Sequence, residues 1–283
     1  MANVVITGGS GFLATEFLKK FRKKNVYLIS KKKLKRHGNY KTIFCDLQNK
    51  NKFIKILKKI NPSEIYHFAW YGIPKFNKKN FLINKTISKN LIEGINEIDC
   101  KKLVISGTCA EYGSNNGICS ENLTPSKKIT TLGKQKNFIK DLFFNKIKKK
   151  TTIIWARIFF VYGKNQRGGS LLKTLINAKE NNTKISLKFP NISNDYIYIK
   201  DVIDGILKLR KLKNTQIINI CSSKVISNLN FAKTFEKINK ISILKKNSSN
   251  NLKKTVVGSN RKLKKLGWTQ KYSLERALEE ICQ

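Results

Sequence analysis

Val4-Val5-Ile6 leads through Thr7-Gly8-Gly9-Ser10-Gly11 into Phe12-Leu13-Ala14 and then Glu16-Phe17-Leu18-Lys19-Lys20-Phe21. This succession of strand, glycine turn and helix decides the fold. A β-branched apolar run reads as a buried strand. Gly8 lets the chain turn tightly, so that the following backbone N–H groups face a ligand. Gly11 removes the Cβ that would keep a pyrophosphate from the helix N-terminus, where free N–H donors and the helix dipole favour negative charge. Phe12 and Leu13 open the helix and count with Gly8 and Gly11 as dinucleotide-binding positions, and Ala14 is small enough for the helix to lie close on the sheet. A glycine turn of this kind also arises for steric reasons alone. Its place between a strand and a helix favours nucleotide binding over that reading.

The 283 residues suffice for one large nucleotide-binding domain and a smaller lobe, and a 40% hydrophobic content supports a buried core. The net charge of +41 raises nucleic-acid binding as an alternative. Only seven of the 58 basic residues are Arg, however, and the lysines are spread through the chain among abundant Asn and Ile. All three have A/T-rich codons, so genome base composition accounts for the charge. Bases are read or clamped by Arg with interleaved aromatics, and no such cluster stands out, so no nucleic-acid partner is expected. The six cysteines, at 45, 100, 109, 119, 221 and 282, form no Cys-x-x-Cys pair and have no His spacing for zinc, so they read as reduced thiols and no metal is expected. No charged-then-apolar leader and no apolar run near ~18 residues is seen, so a cytoplasmic protein without membrane insertion is expected.

Further apolar runs follow the first helix. Val26-Tyr27-Leu28-Ile29 is a second strand and ends at Ser30-Lys31-Lys32-Lys33. An acidic residue about 20 positions past the glycines binds the ribose hydroxyls of NAD. A hydroxyl beside ammonium groups suits a 2′-phosphate instead, so NADP is favoured over NAD, although a chain so rich in Lys also places one there by chance. Thr42-Ile43-Phe44-Cys45 is a third strand with Asp46-Leu47 at its end, and Phe53 to Ile60 has helical periodicity and stops at Asn61-Pro62. Glu64-Ile65-Tyr66-His67-Phe68-Ala69-Trp70 is a fourth strand, Phe81 to Ile98 a long helix, Lys102 to Ser106 a fifth strand and Thr152 to Arg157 a sixth.

The spacing Thr7-Gly8-x-x-Gly11-x-x-Ala14, together with Gly107-Thr108-Cys109-Ala110-Glu111-Tyr112-Gly113, resembles the extended short-chain dehydrogenase/reductases. Within them it is similar to the NAD(P)-dependent nucleotide-sugar epimerase/dehydratase/reductase group, which has Gly in place of Ala14. The resemblance runs on through Ile158-Phe159-Phe160-Val161-Tyr162-Gly163, Asp195 to Val202 and Leu263 to Leu274. It implies an α/β fold, a Rossmann-type doubly wound parallel sheet with a smaller C-terminal substrate lobe. Residues 1–163 would be the dinucleotide-binding domain and 164–283 the substrate lobe, with some segments returning to the sheet.

The same resemblance implies the sites. Asp46, with Leu47, matches a pair whose Asp contacts the adenine amino group, a turn aspartate being the alternative. Phe68, Ala69 and Trp70 stand in a His-Leu-Ala-Ala segment whose backbone passes along the cofactor, which leaves His67 a packed structural residue, and Asn84 takes a structural Asn position. Thr108 falls on the catalytic Ser/Thr, whose hydroxyl bonds a C4 carbonyl or alcohol. The family's Tyr-x-x-x-Lys places a phenol and an ammonium one helical turn apart. Here Thr130-Thr131-Leu132-Gly133-Lys134-Gln135-Lys136 keeps Lys136, for catalysis and the nicotinamide ribose, but puts Leu132 in the tyrosine's place. Phe160 replaces an Asn that touches substrate, and Asn194 an Arg.

The implied function is that of an NAD(P)-dependent nucleotide-sugar oxidoreductase or epimerase acting at a sugar C4 keto or hydroxyl group. Its substrate would be a nucleotide sugar, and a homodimer is left open. The alternative, carried by Leu132, is a cofactor-binding Rossmann module with impaired catalysis.

Overall fold

The computed structural model describes residues 3–21, 25–32, 40–115, 117–245 and 256–283; Lys33 therefore lies outside the described residues. Seven strands form one sheet: β1 (Val4–Thr7), β2 (Val26–Ser30), β3 (Lys41–Phe44), β4 (Glu64–His67), β5 (Lys102–Thr108), β6 (Thr152–Ile158) and β7 (Gln216–Ile220). Their order is β7-β6-β5-β4-β1-β2-β3. The pairs β1/β2, β1/β4, β2/β3 and β4/β5 are parallel. The order changes direction at β1, which makes this the doubly wound Rossmann arrangement and sets the switch point beside the glycine turn. Parallel strands are covered on both faces and so read as apolar runs. All of Val4–Thr7 is buried, whereas β3, at the sheet edge, is largely exposed.

Four helices, α1 (Phe12–Lys20), α2 (Lys50–Ile60), α3 (Lys78–Asn96) and α4 (Thr131–Lys146), belong with the sheet. In α2, Asn49 caps the N-terminus by accepting the Lys52 N–H, and Phe53, Ile54, Leu57 and Ile60 bury one face. The helix ends at Asn61, whose φ of 43° is left-handed, just ahead of Pro62. Helix α3 starts three residues ahead of the run expected from Phe81, because Asn77 accepts the Asn80 N–H and caps it there. Capping lies outside the apolar period and so was not in that pattern. Side chains of Val5, Ile29, Ile65 and Leu103 from the sheet meet Leu57, Leu91, Ile95, Ile139 and Phe143 from the helices in one core.

The chain forms two compact units that interleave in sequence. One comprises Met1–Glu111, Ile129–Arg157 and Leu209–Ile218; the other comprises Tyr112–Lys128, Ile158–Lys208 and Asn219–Gln283. A single division after residue 163 does not describe this, since 112–128 and 158–163 cluster with the later segments.

The second unit carries α5 (Leu171–Glu180), α6 (Ile199–Lys208), α7 (Asn228–Asn239), α8 (Arg261–Lys265) and α9 (Leu274–Cys282). Phe160–Tyr162 pairs in parallel with Tyr196–Tyr198. Two buried carboxylates tie its distant segments together. Asp195 accepts the N–H and hydroxyl of Ser222 and the N–H groups of Ser223 and Gly258. Asp201 accepts the N–H groups of Lys271 and Tyr272, and its carbonyl accepts the Trp268 indole N–H. A cavity of about 340 Å³ within this unit is lined in part by Tyr162, Tyr196, Tyr272, Lys224 and Lys271.

All six cysteines are free thiols, five of them buried, and burial pushes the Cys100 thiol up to about 12. Among the described residues no three His, Cys, Asp or Glu side chains come together as a metal site. No described helix is long and apolar enough to cross a membrane.

Candidate active site

The glycine turn is built as tightly as its sequence suggests. Gly8 has φ of +73°, and a Cβ there would sit 2.8 Å from the Ala69 nitrogen, so the exit of β4 runs directly against the turn. Backbone bonds from Gly8 and Gly9 to the Ile29 carbonyl and from Gly11 to the Gly8 carbonyl fix its path. Gly11 is the N-cap of α1 but offers no side chain to it, and no acid stands in the first turn. The N–H groups opening α1 at Phe12 and Leu13 are therefore not capped by a side chain, which suits an incoming anion. A Cβ on Gly11 would lie 3.0 Å from the Gly8 carbonyl oxygen. Gly11→Val is expected to weaken dinucleotide binding at least ~100-fold, by loss of two or more charge-assisted bonds. Calorimetry on a variant that keeps its melting temperature checks this; unaltered affinity would make the turn purely structural.

At the end of β2 Ser30 and Lys31 have partners within the chain. The Ser30 hydroxyl is buried, accepts the Lys32 N–H and donates to the Ser10 hydroxyl. Lys31 is exposed, and its ammonium is 2.8 Å from the Asp46 carboxylate. The cation read as a 2′-phosphate partner is thus bonded to the acid read as an adenine contact. Burial pushes the Asp46 carboxyl up, but Lys31 and Gln48 more than reverse this and hold it below its ordinary value. Sequence spacing gave no sign of this pair, because it joins the ends of neighbouring strands β2 and β3. Leu47, buried, passes its carbonyl to Asn90 of α3.

Along β4, His67 shares a 2.7 Å hydrogen bond with the Thr7 hydroxyl. Burial, with the nearby Lys136 charge, pushes His67 down to about 3, so it is neutral and structural. Beyond it, Phe68, Ala69 and Trp70 lead to Tyr71, whose N–H and C=O both bond the Asn84 side chain on α3. Asn84 therefore holds this exit loop in place.

Thr108 closes β5. Its hydroxyl oxygen accepts the Ala110 N–H, which leaves the O–H proton available to a substrate oxygen. Facing that exit is the first part of α4, capped by Thr130 on the Gly133 N–H. Gly133 is obligatory here, since a Cβ would fall 2.1 Å from the Ala110 carbonyl oxygen. This close approach lets Lys136 reach the strand. Lys136 is 6% exposed, and its ammonium donates to the Ser106 carbonyl at 2.7 Å and sits 3.8 Å from the centroid of the Trp70 ring. Burial pushes Lys136 down to about 8, with the Glu111 charge opposing the fall. Leu132 lies half-buried one turn earlier, so no phenol accompanies the ammonium on this helix face.

Two features escaped sequence reasoning. Glu111, fully buried, accepts the Thr108 N–H, the Trp155 indole N–H and the Arg157 Nε–H, and its backbone carbonyl accepts the Asn137 side chain of α4. It joins strand exit, helix and β6. An acid inside the Thr108 motif and an Arg inside an apolar strand were the available signs, since buried charges come in pairs. The other is the stacking of Trp70 on Lys136, between residues 66 positions apart that no local pattern connects.

The sequence model of the NAD dependent epimerase/dehydratase family matches residues 4–221. GDP-6-deoxy-D-talose 4-dehydrogenase of Aggregatibacter actinomycetemcomitans is 27% identical over 227 residues, 77% of this chain and 74% of its own. A structure of MoeE5 in complex with UDP-glucuronic acid and NAD is similar with a TM-score of 0.87 at 19% identity, over 99% of both chains. UDP-glucose 4-epimerase of Thermotoga maritima with UDP-glucose gives 0.85 at 19% identity, over 98% of this chain and 96% of that one. With its switch-point glycine turn and its doubly wound sheet, this chain belongs to the NAD-dependent epimerase/dehydratase family.

Proposed function

We propose that the protein is an oxidoreductase or epimerase that works through a nicotinamide dinucleotide at the C4 keto or hydroxyl group of a nucleotide-linked sugar. The observation that carries this reading is the anchoring of Lys136 and Thr108 to the exit of one strand, β5. Gly8 and Gly11 let the turn pack closely on Ala69 and on itself, and the N-terminus of α1 to which it leads has no side-chain cap, which fits a pyrophosphate. The dinucleotide, when bound, supplies and takes back the hydride. The N–H groups of Phe12 and Leu13 hold its phosphates, Lys136 its ribose, and the Thr108 O–H orients the C4 oxygen. The named relatives support the substrate class: one is a 4-dehydrogenase of a GDP-linked sugar and two are solved with UDP-linked sugars.

Turnover of a panel of nucleotide 4-keto sugars with NADH and NADPH tests the reading. Thr108→Ala is expected to lower kcat ~10²-fold, the usual effect of removing one positioned donor. Because the ammonium form of Lys136 binds, cofactor affinity is expected to fall as pH rises through about 8. No turnover with any pair, or an unchanged rate in Thr108→Ala, would overturn it. A second reading, a dinucleotide-binding module without turnover, is favoured by Leu132 alone; it expects binding without reaction.

NADP is the expected preference, since no carboxylate ends β2. Lys31 must exchange Asp46 for the 2′-phosphate, so the preference is expected to be modest, below ~10-fold, in line with the small net worth of an exposed ion pair. Ser30→Asp is expected to reverse it. Equal NAD and NADP affinities at moderate salt would show that Lys31 serves only Asp46.

A further inference from the structure

Three tryptophans lie among the described residues, and two have their indole N–H satisfied. Trp155 donates to Glu111 and Trp268 to the Asp201 carbonyl. Trp70 differs: its Nε1–H is buried, yet no acceptor among the described residues meets it. A buried donor left without a partner is costly and uncommon in folded proteins, and it calls for an explanation.

The ring of Trp70 is held by more than its own loop. Asn84 fixes the next residue, Tyr71, through both backbone groups. On the ring face stands the Lys136 ammonium, 3.8 Å from the centroid, itself tied to the Ser106 carbonyl. A cation so close to an indole face is attracted by its quadrupole, more strongly in a desolvated setting. The plane of the indole, and with it the direction of the N–H, is set before any ligand arrives. Ala69, its neighbour, forms the wall against Gly8. Where the related segment ends in alanine, this chain therefore has a fixed hydrogen-bond donor between the glycine turn and Lys136.

Resting on the dinucleotide reading above, we propose that the Trp70 indole N–H is a ligand-binding donor that bonds an oxygen on the nicotinamide half of the dinucleotide, a ribose hydroxyl or the carboxamide carbonyl. Lys136 presents the indole through its face. Trp70 then fixes the nicotinamide half by one bond more than backbone and Lys136 provide.

Trp70→Phe keeps an aromatic face for Lys136 while removing the N–H and part of the bicyclic ring, so its effect is read against the binding of ADP, which any general loss of packing would also weaken. Calorimetric titration is made with NADH or NADPH, whichever the native protein binds more tightly, and with ADP, which carries the adenine and pyrophosphate but no nicotinamide. The expected result is ~3- to 10-fold weaker dinucleotide binding, the effect of one neutral hydrogen bond, with ADP affinity unchanged. Unchanged ADP binding also shows that the variant is folded. Equal dinucleotide affinity in variant and native protein overturns the proposal while leaving the functional reading intact. An equal loss for ADP and dinucleotide overturns it too, because the effect then has nothing to do with the nicotinamide half. Native protein that binds no dinucleotide removes the functional reading, and this proposal with it.

Discussion

Glu111→Ala is expected to lower folding stability by about 3–5 kcal/mol, the range for breaking a buried ion pair from one side. The carboxylate is fully buried and its partner Arg157 is 2% exposed. One carboxylate oxygen accepts Thr108 N–H at 2.7 Å and Trp155 Nε1–H at 2.9 Å; the other accepts Arg157 Nε–H at 2.8 Å. Alanine takes the carboxylate away from all three donors. Water cannot readily compensate at such a site, and the neutral donors add their own desolvation penalty. Urea denaturation gives the measurement, and a loss below ~1 kcal/mol would show that the cluster is solvated or replaceable. Replacing both partners by apolar residues of similar volume, Glu111→Met with Arg157→Met, should cost less than Glu111→Ala, because it removes both charges of the pair and leaves a smaller cavity. Thr108, losing the bond that sets its backbone, should also bind its substrate oxygen less well in whatever protein still folds.

Glu111 also shows where sequence reading stops. The sheet was legible because each strand of a parallel sheet is buried on both faces, so Val4–Ile6, Val26–Ile29 and Leu103–Ile105 announce themselves as apolar runs. The glycine turn was legible because backbone geometry permits few residues at Gly8. Lys136 and Thr108 were singled out through a motif, and the structure brings both to the β5 exit. Pairings were hidden. Glu111 and Arg157 are 46 residues apart, and Lys31 looked like a free cation because Asp46 reaches it only through the register of β2 with β3. A return of later segments to the sheet was expected, but the early departure of 112–128 was hidden, because that stretch has no composition that marks it as leaving the first unit.

Leu132→Tyr is expected to raise turnover of a nucleotide 4-keto sugar by ~10²- to 10⁴-fold, the usual contribution of a positioned proton donor. Position 132 lies in the first turn of α4, four residues before Lys136 and on the same helix face. The cap of the helix does not use its side chain, since Thr130 caps through the Gly133 N–H, and the close approach to Ala110 is made at Gly133. A phenol at 132 would meet an ammonium already buried and bonded to the Ser106 carbonyl, and that charge favours the phenolate and lowers the phenol pKa. Two signatures should accompany the gain. The pH profile of kcat should acquire an ionisation below the ordinary phenol range, absent from the native protein. Adding Thr108→Ala should remove most of the gain, because the phenol can deliver its proton only to an oxygen the threonine has oriented. If turnover is unchanged or lower while dinucleotide affinity holds, Leu132 is not the lesion. The proton must then come from another group, and the Lys136 ammonium, already pushed down to about 8, is the one to titrate next.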